Sequence, residues 1–147
     1  MGDGSHYNVK DTLHAALFGL MAVAAVGLTA TQAVLAGLIW RHSPERETVF
    51  VRSVIVGLLL TFVLATASGF LLGGKQPPAG VGLALVGWHI GQADARPAHF
   101  LGVHAHQFIP LAGWLLQRYR VSGAGLWLFG FAVVYALGWL LLMLSAR

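Results

Sequence analysis

Histidine is the residue type through which this chain could do chemistry. The 147 residues include seven histidines and no cysteine. The lack of cysteine excludes thiolate catalysis, disulfides, iron–sulfur clusters and zinc sites built on cysteine. Neutral imidazole is an axial ligand of haem iron, and it also binds copper and zinc. The positions of the histidines therefore indicate which cofactors are worth considering.

Three of the histidines, His99, His104 and His106, lie close together in the sequence. On a helix, His99 and His106 point within about 20° of each other and lie about 10.5 Å apart along the axis. His104 points about 140° away from His99, on the face of Phe100 and Gln107. The three therefore cannot ligate one ion from one straight helix, and a ligand from another element is needed.

Polar residues and prolines flank this histidine group. Pro97 suits the first turn of a helix, and Asp94 precedes that turn, where the helix dipole favours an anion. Pro110 frees the backbone carbonyl of His106, because proline has no amide hydrogen to donate. We expect four residues to support the site: Asp94, Arg96, Gln107 and Pro110.

The composition places these residues in a membrane. Hydrophobic residues make up 57% of the chain and charged residues 10%, against roughly 25% charged in an average soluble domain. With a mean hydropathy of +0.74, these values exclude both a water-soluble globular protein and a disordered one.

The spacing of the charged residues predicts the architecture. Four stretches without Asp, Glu, Lys or Arg contain 29, 22, 21 and 26 residues, and about 20 helical residues cross a hydrocarbon core about 30 Å thick. We predict one integral membrane domain with an all-α fold, a four-helix transmembrane bundle. The predicted spans are about 12–40, 53–74, 97–117 and 121–146.

Segment 75–96 is predicted to be a lid on the outer side of the bundle. Pro77 and Pro78 end the second span, because neither donates a backbone hydrogen bond. The apolar run that follows, residues 79–91, is too short to cross a bilayer and contains four glycines. Such a piece lies in the interface or re-enters the membrane. We therefore expect a re-entrant or interfacial loop before the third helix.

Charge at the span ends predicts orientation and location. Five Lys or Arg residues lie in the first and third inter-span loops, against four on the opposite side. The positive-inside rule then places both termini outside, and we expect a bacterial inner membrane. The net charge of +4 is spread over the span ends, which predicts contact with the lipid bilayer and no nucleic acid. The first uncharged stretch continues well past Ala22, which argues against a cleaved signal peptide.

Matching depths suggest which histidines could share a ligand. His14 lies three residues past Asp11, and His99 lies three residues past Arg96. Their spans run in the same direction, so the two rings should lie at similar depth, near His89 in the lid. We predict a set of cofactor-binding histidines: His14, His99, His104 and His106.

The residues around the third span also carry a resemblance. The motif Asp94-x-Arg96-x-x-His99-Phe100-x-Gly102-x-His104-x-x-Gln107-x-x-Pro110, following a Gly-Trp stretch, resembles a group of small four-span bacterial integral membrane proteins, most of them uncharacterised. The likeness covers chiefly residues 86–114, and the group implies no established activity. Its pattern has an apolar residue at the place of His106, where this chain departs from it. The resemblance therefore favours His99 and His104 as ligands.

Haem b is the main predicted cofactor, in an electron-transfer subunit. Histidines from spans one and three could hold one haem, and abundant Gly and Ala would leave room for it. Quinone and a partner protein are the candidate electron carriers. Against this, two-haem transmembrane cytochromes b present two histidines on each of two helices, whereas spans two and four here have none.

Two other functions stay open from the sequence. One is a copper or zinc site on the outer side of the membrane, formed by His14, His89 and His99. The other is a non-catalytic accessory, structural or assembly subunit of a larger membrane complex, with no cofactor. In that case the histidines form hydrogen bonds between helices, and the partners are other membrane subunits or further copies of the chain.

Overall fold

The structure is a computed structural model that describes residues 11–73 and 78–146. These residues form four α-helices: α1 (Thr12–His42), α2 (Val49–Leu72), α3 (Arg96–Arg118) and α4 (Ala124–Ser145). The two described ranges contain no strand, so the prediction of an all-α fold is confirmed. Helices α1, α2 and α4 are long and apolar enough to cross a membrane, as expected of an integral membrane protein.

Local sequence signals set the helix starts. Asp11 caps α1 by accepting a hydrogen bond from a backbone amide in the first turn, at 3.0 Å. Thr48 caps α2 in the same way, at 3.3 Å. Both are residue types whose short side-chain oxygen satisfies an otherwise unpaired helical amide. Pro97 lies in the first turn of α3, where its missing amide hydrogen is not needed.

Helices α2 and α3 form the closest-packed pair. Their contact consists mainly of small buried residues: Ser53, Gly57, Thr61, Ala65 and Ser68 on α2, and Ala98, Gly102, Ala105 and Gly113 on α3. A Cβ atom at Gly102 would lie 2.8 Å from backbone atoms of Leu64 and Ala65. Glycine therefore allows two backbones to meet at this level, as small residues do in membrane helix pairs.

Helices α1 and α4 flank this central pair. Helix α1 packs on α2, while α4 packs on α3 and, over a smaller area, on α2. Within the described residues, α1 contacts neither α3 nor α4. Thr29 of α1 meets Thr66 of α2 with 3.2 Å between the hydroxyl oxygens. On the other side, the Tyr135 hydroxyl of α4 donates to the carbonyl oxygen of Leu101, at 2.7 Å.

Residues 78–95 connect α2 to α3 and contact the end of α4. The backbone amide of Leu83 donates to the carbonyl of Trp88, at 2.8 Å. The amide of Ala93 donates to the carbonyl of Ser145 at the last turn of α4, at 3.3 Å. These bonds place the connection at the end of the bundle where α3 begins and α4 ends. Residues 75–77 of the predicted lid lie outside the described residues.

The close approach at Gly102 can be tested with a valine variant. Gly102→Val should lower the free energy of unfolding by about 1–3 kcal/mol, because the new side chain has no room against α2. Gly130→Val is the matched control, since a Cβ atom at Gly130 of α4 meets nothing within 4 Å. Unfolding by SDS in mixed micelles measures both. Equal SDS midpoints for the two variants would contradict the packing described for α2 and α3.

Candidate functional site

His99 lies in the interface between α2 and α3 and is half-buried. Its Nδ1 atom is 3.2 Å from Oγ of Ser68. The Ser68 hydroxyl donates its proton to the carbonyl of Leu64, at 2.6 Å. Because a hydroxyl has one proton and the Leu64 carbonyl is its nearest acceptor, we assign the bond with His99 to donation from Nδ1–H to Ser68. In neutral His99 the lone pair is therefore on Nε2.

His106 contacts α2 about two turns further along α3. Oγ1 of Thr61 accepts a hydrogen bond from the backbone amide of His106, at 2.8 Å. The same oxygen lies 3.3 Å from Nδ1 of the His106 ring. The Thr61 hydroxyl proton has no other acceptor in the described part of the chain, so we assign it to Nδ1. Neutral His106 then carries its own proton on Nε2, the opposite tautomer to His99.

His104 points away from α2, as the helical spacing predicts. Its Nδ1–H donates to Oε1 of Gln107, at 2.8 Å. Its ring packs on Phe100, with ring centroids 4.1 Å apart. Gln107 is exposed and His104 is half-buried. Among the described residues, neither Nε2 of His104 nor the amide nitrogen of Gln107 has a hydrogen-bond partner.

Asp94 and Arg96 form an ion pair where the connecting segment enters α3. Nη2 of Arg96 donates to Oδ2 of Asp94 at 2.7 Å and to the carbonyl of Gly87 at 2.6 Å. The buried carboxylate also accepts hydrogen bonds from the backbone amides of His89 and Arg96. Burial raises the pKa of Asp94, but the hydrogen bonds from Arg96 and from the two amides outweigh burial and lower the pKa to about 2. Asp94 is thus ionised at neutral pH and holds the connecting segment against α3.

His89 is buried beside this ion pair, with 7% of its surface exposed. Its Nδ1 atom lies 3.5 Å from Nη2 of Arg96 and 3.9 Å from Oδ2 of Asp94. Nε2 of His89 and Nε1 of Trp139 are buried and have no hydrogen-bond partner among the described residues. His89 therefore takes part in anchoring the segment before α3, and it keeps one ring nitrogen unpaired.

The predicted ligands are distributed over several places in the bundle. His14 is exposed at the start of α1, with Nδ1 2.5 Å from Oδ2 of Asp11. Helix α1 does not contact α3, so the structure does not bring His14 and His99 into contact. Within residues 11–73 and 78–146, no three His, Asp or Glu side chains cluster closely enough to hold a metal ion.

The partners of His99 and His106 were not predicted from the sequence. Span two has no histidine, and so it received no candidate site. Thr61 and Ser68 nevertheless lie seven residues apart, which places them on one face of α2. Small polar residues at that spacing in an apolar span could have indicated hydrogen-bond partners for the histidines.

Comparison with known proteins assigns no family to the chain. No protein-family model, no curated protein and no solved structure matches it. The likeness to small four-span bacterial membrane proteins stays a prediction that rests on the motif at 94–110. Function is therefore inferred from the geometry of the residues described above.

Proposed function

We propose that the chain is a non-catalytic subunit of a larger membrane assembly, in which α3 is a fourth membrane span. One face of α3 packs on α2, a second packs on α4, and a third docks against a transmembrane helix of a partner. In this proposal the histidines position α3 and shape its contacts. The assembly lies in a bacterial inner membrane with both termini outside, and residues 78–95 form an interfacial or re-entrant lid.

The surroundings of α3 support its role as a span. It has 23 residues and lies between α2 with 24 and α4 with 22, so its length matches two helices that can cross a membrane. It is nevertheless absent from the helices that qualify as spans by composition, because it carries three histidines and Gln107. Polar side chains in a membrane face protein rather than lipid. Helix α3 therefore requires protein contacts on every side.

Two of the three sides are filled within the chain. Helix α2 covers the side that carries the small residues and also binds His99 and His106. Such hydrogen bonds between membrane helices each contribute about 0.6–2 kcal/mol. Helix α4 covers the adjacent side, through the contact of Tyr135 with Leu101 and with the ring of Phe108. Both contacts pack α3 against its neighbours in the chain.

The third side of α3 is the surface that we propose docks on a partner. We call it the outer face of α3, and its residues are Phe100, His104, Gln107, Leu111 and Trp114. His104 and Gln107 lie about 12 and 16 Å along the axis from the start of α3, in the middle of a hydrocarbon core about 30 Å thick. Polar groups without partners in hydrocarbon cost several kcal/mol. A partner helix that supplies hydrogen bonds removes this cost, whereas lipid does not.

Replacing Gln107 with leucine tests the proposal. If the outer face of α3 docks on a partner, Gln107→Leu removes hydrogen bonds from the interface and lowers the mass of the detergent-solubilised particle. Light scattering should then show a shift toward a single 15.6 kDa chain. Thr31→Val is the control, since it likewise removes an exposed polar group, here a hydroxyl, from a span. An unchanged mass together with higher stability would show that Gln107 faces lipid, and it would overturn the proposal.

A haem b subunit is the second candidate, and the tautomers of two histidines favour it. His99 and His104 both donate from Nδ1, which leaves Nε2 with the lone pair that iron requires. The surroundings of these histidines fit a haem less well than they fit the structural role. The ring of His99 lies between two helices in close contact, and α1 with His14 does not contact α3.

An optical spectrum of the purified protein separates the two candidates. The structural role predicts a flat visible spectrum before and after reduction with dithionite. A Soret band that shifts on reduction, and that His99→Ala abolishes in a protein still inserted in the membrane, would instead establish the haem subunit.

A further inference from the structure

We propose that the partner of the outer face of α3 is a second copy of this chain, related by a two-fold axis along the membrane normal. This inference rests on the proposed function, because it names the occupant of the surface described there. Three observations support a second copy: the pairing of donors and acceptors, the depth of the polar groups and the spacing of the residues.

The polar groups of the outer face of α3 complement themselves. His104 presents an unpaired acceptor at Nε2, because its Nδ1–H is donated to Gln107. Gln107 presents an unpaired amide NH₂ group, because its Oε1 is the acceptor of that bond. In a two-fold dimer, Gln107 of each copy donates to His104 of the other. This reciprocal arrangement is that of an isologous interface, and it pairs the free His104 nitrogen and the Gln107 amide in both copies.

The depths of the two groups agree with this arrangement. Copies of one chain insert with the same orientation, so their α3 helices run parallel and equivalent residues lie at equal depth. His104 and Gln107 are about 4.5 Å apart along the axis. Helical side chains lean toward the N-terminus, and the Gln107 amide already reaches the His104 ring of its own chain. In the dimer, that amide therefore lies at the depth of the partner's ring.

The spacing along the outer face of α3 is that of a parallel helix pair. Its five residues are separated by four, three, four and three positions. Alternating steps of four and three form the seam of a left-handed two-stranded coil, and polar residues within such a seam set its register. Phe100, Leu111 and Trp114 are 38%, 51% and 49% exposed in the single chain. They would supply the apolar contacts on both sides of the polar pair.

Cysteine cross-linking tests the dimer, and the native chain suits it because it contains no cysteine. At a two-fold seam each residue lies near its own counterpart, so Leu111→Cys should form a disulfide-linked dimer when membranes are oxidised with copper phenanthroline. Leu35→Cys is the matched control. Both leucines lie seven residues before the end of their helix, and both are about half-exposed. Trp114→Cys, on the same seam, repeats the test if Leu111→Cys fails to insert.

The expected result is a dimer band for Leu111→Cys, none for Leu35→Cys, and at least about a fivefold lower yield when Gln107→Leu is added. Equal yields at positions 111 and 35 would indicate random collision and would overturn the proposal. A particle that Gln107→Leu dissociates but in which position 111 does not cross-link would contain a different partner. The second copy would then be wrong, while the proposed function would stand. Failure of both tests would overturn both.

Discussion

A polar helix among apolar ones is the constraint on which this structure depends. Helix α3 carries three histidines and two glutamines, and its 23 residues match the lengths of the apolar helices α2 and α4. In hydrocarbon, each polar group needs a protein partner, because lipid tails offer no hydrogen bonds. Helix α2 contacts α3 through its small-residue face and through the hydroxyls of Thr61 and Ser68. Helix α4 contacts α3 through the Tyr135 hydroxyl. Helices α2 and α4 thus provide the partners of this polar helix, while α1 packs on α2.

The start of α3 shows how buried polar groups find partners where this helix begins. Asp94 is held ionised by Arg96 and by two backbone amides, although the carboxylate is buried. The ion pair connects the segment before α3 to the first turn of the helix, and the bond from Ala93 to Ser145 connects that segment to α4. The entry of α3 is therefore fixed from two sides. A fixed entry makes the rotation of α3, and hence the direction of each histidine, well defined.

The sequence predicted the helices well because the bilayer dictates them. Charges are excluded from hydrocarbon, so the spacing of Asp11, Arg41, Arg52 and the later charges already indicated four helical stretches. Helical periodicity also predicted that His104 shares a face with Phe100 and Gln107, and the structure confirms it. Periodicity depends only on the local backbone, which the sequence of one segment determines.

Which helices pack side by side could not be predicted in the same way. Equal depth made a contact between His14 and His99 possible, but α2 lies between α1 and α3, and these two helices do not touch. Which helices meet depends on the fit of small residues, such as Gly102 against Leu64 and Ala65. That fit involves two faces at once and is not visible in the hydropathy of either span. For the same reason Ser68 and Thr61 were missed as histidine partners.

The central claim is that protein covers the outer face of α3 in the membrane. A nitroxide label at position 111, on a single cysteine that leaves His104 and Gln107 in place, measures this directly through its collision rate with dissolved oxygen in bilayers. Position 35 on α1 is the reference, because Leu35 and Leu111 both lie seven residues before the end of their helix and both are about half-exposed. The account predicts a collision rate at position 111 that is several-fold lower than at position 35. Equal rates at the two positions would show that lipid covers the outer face of α3, and they would contradict the account.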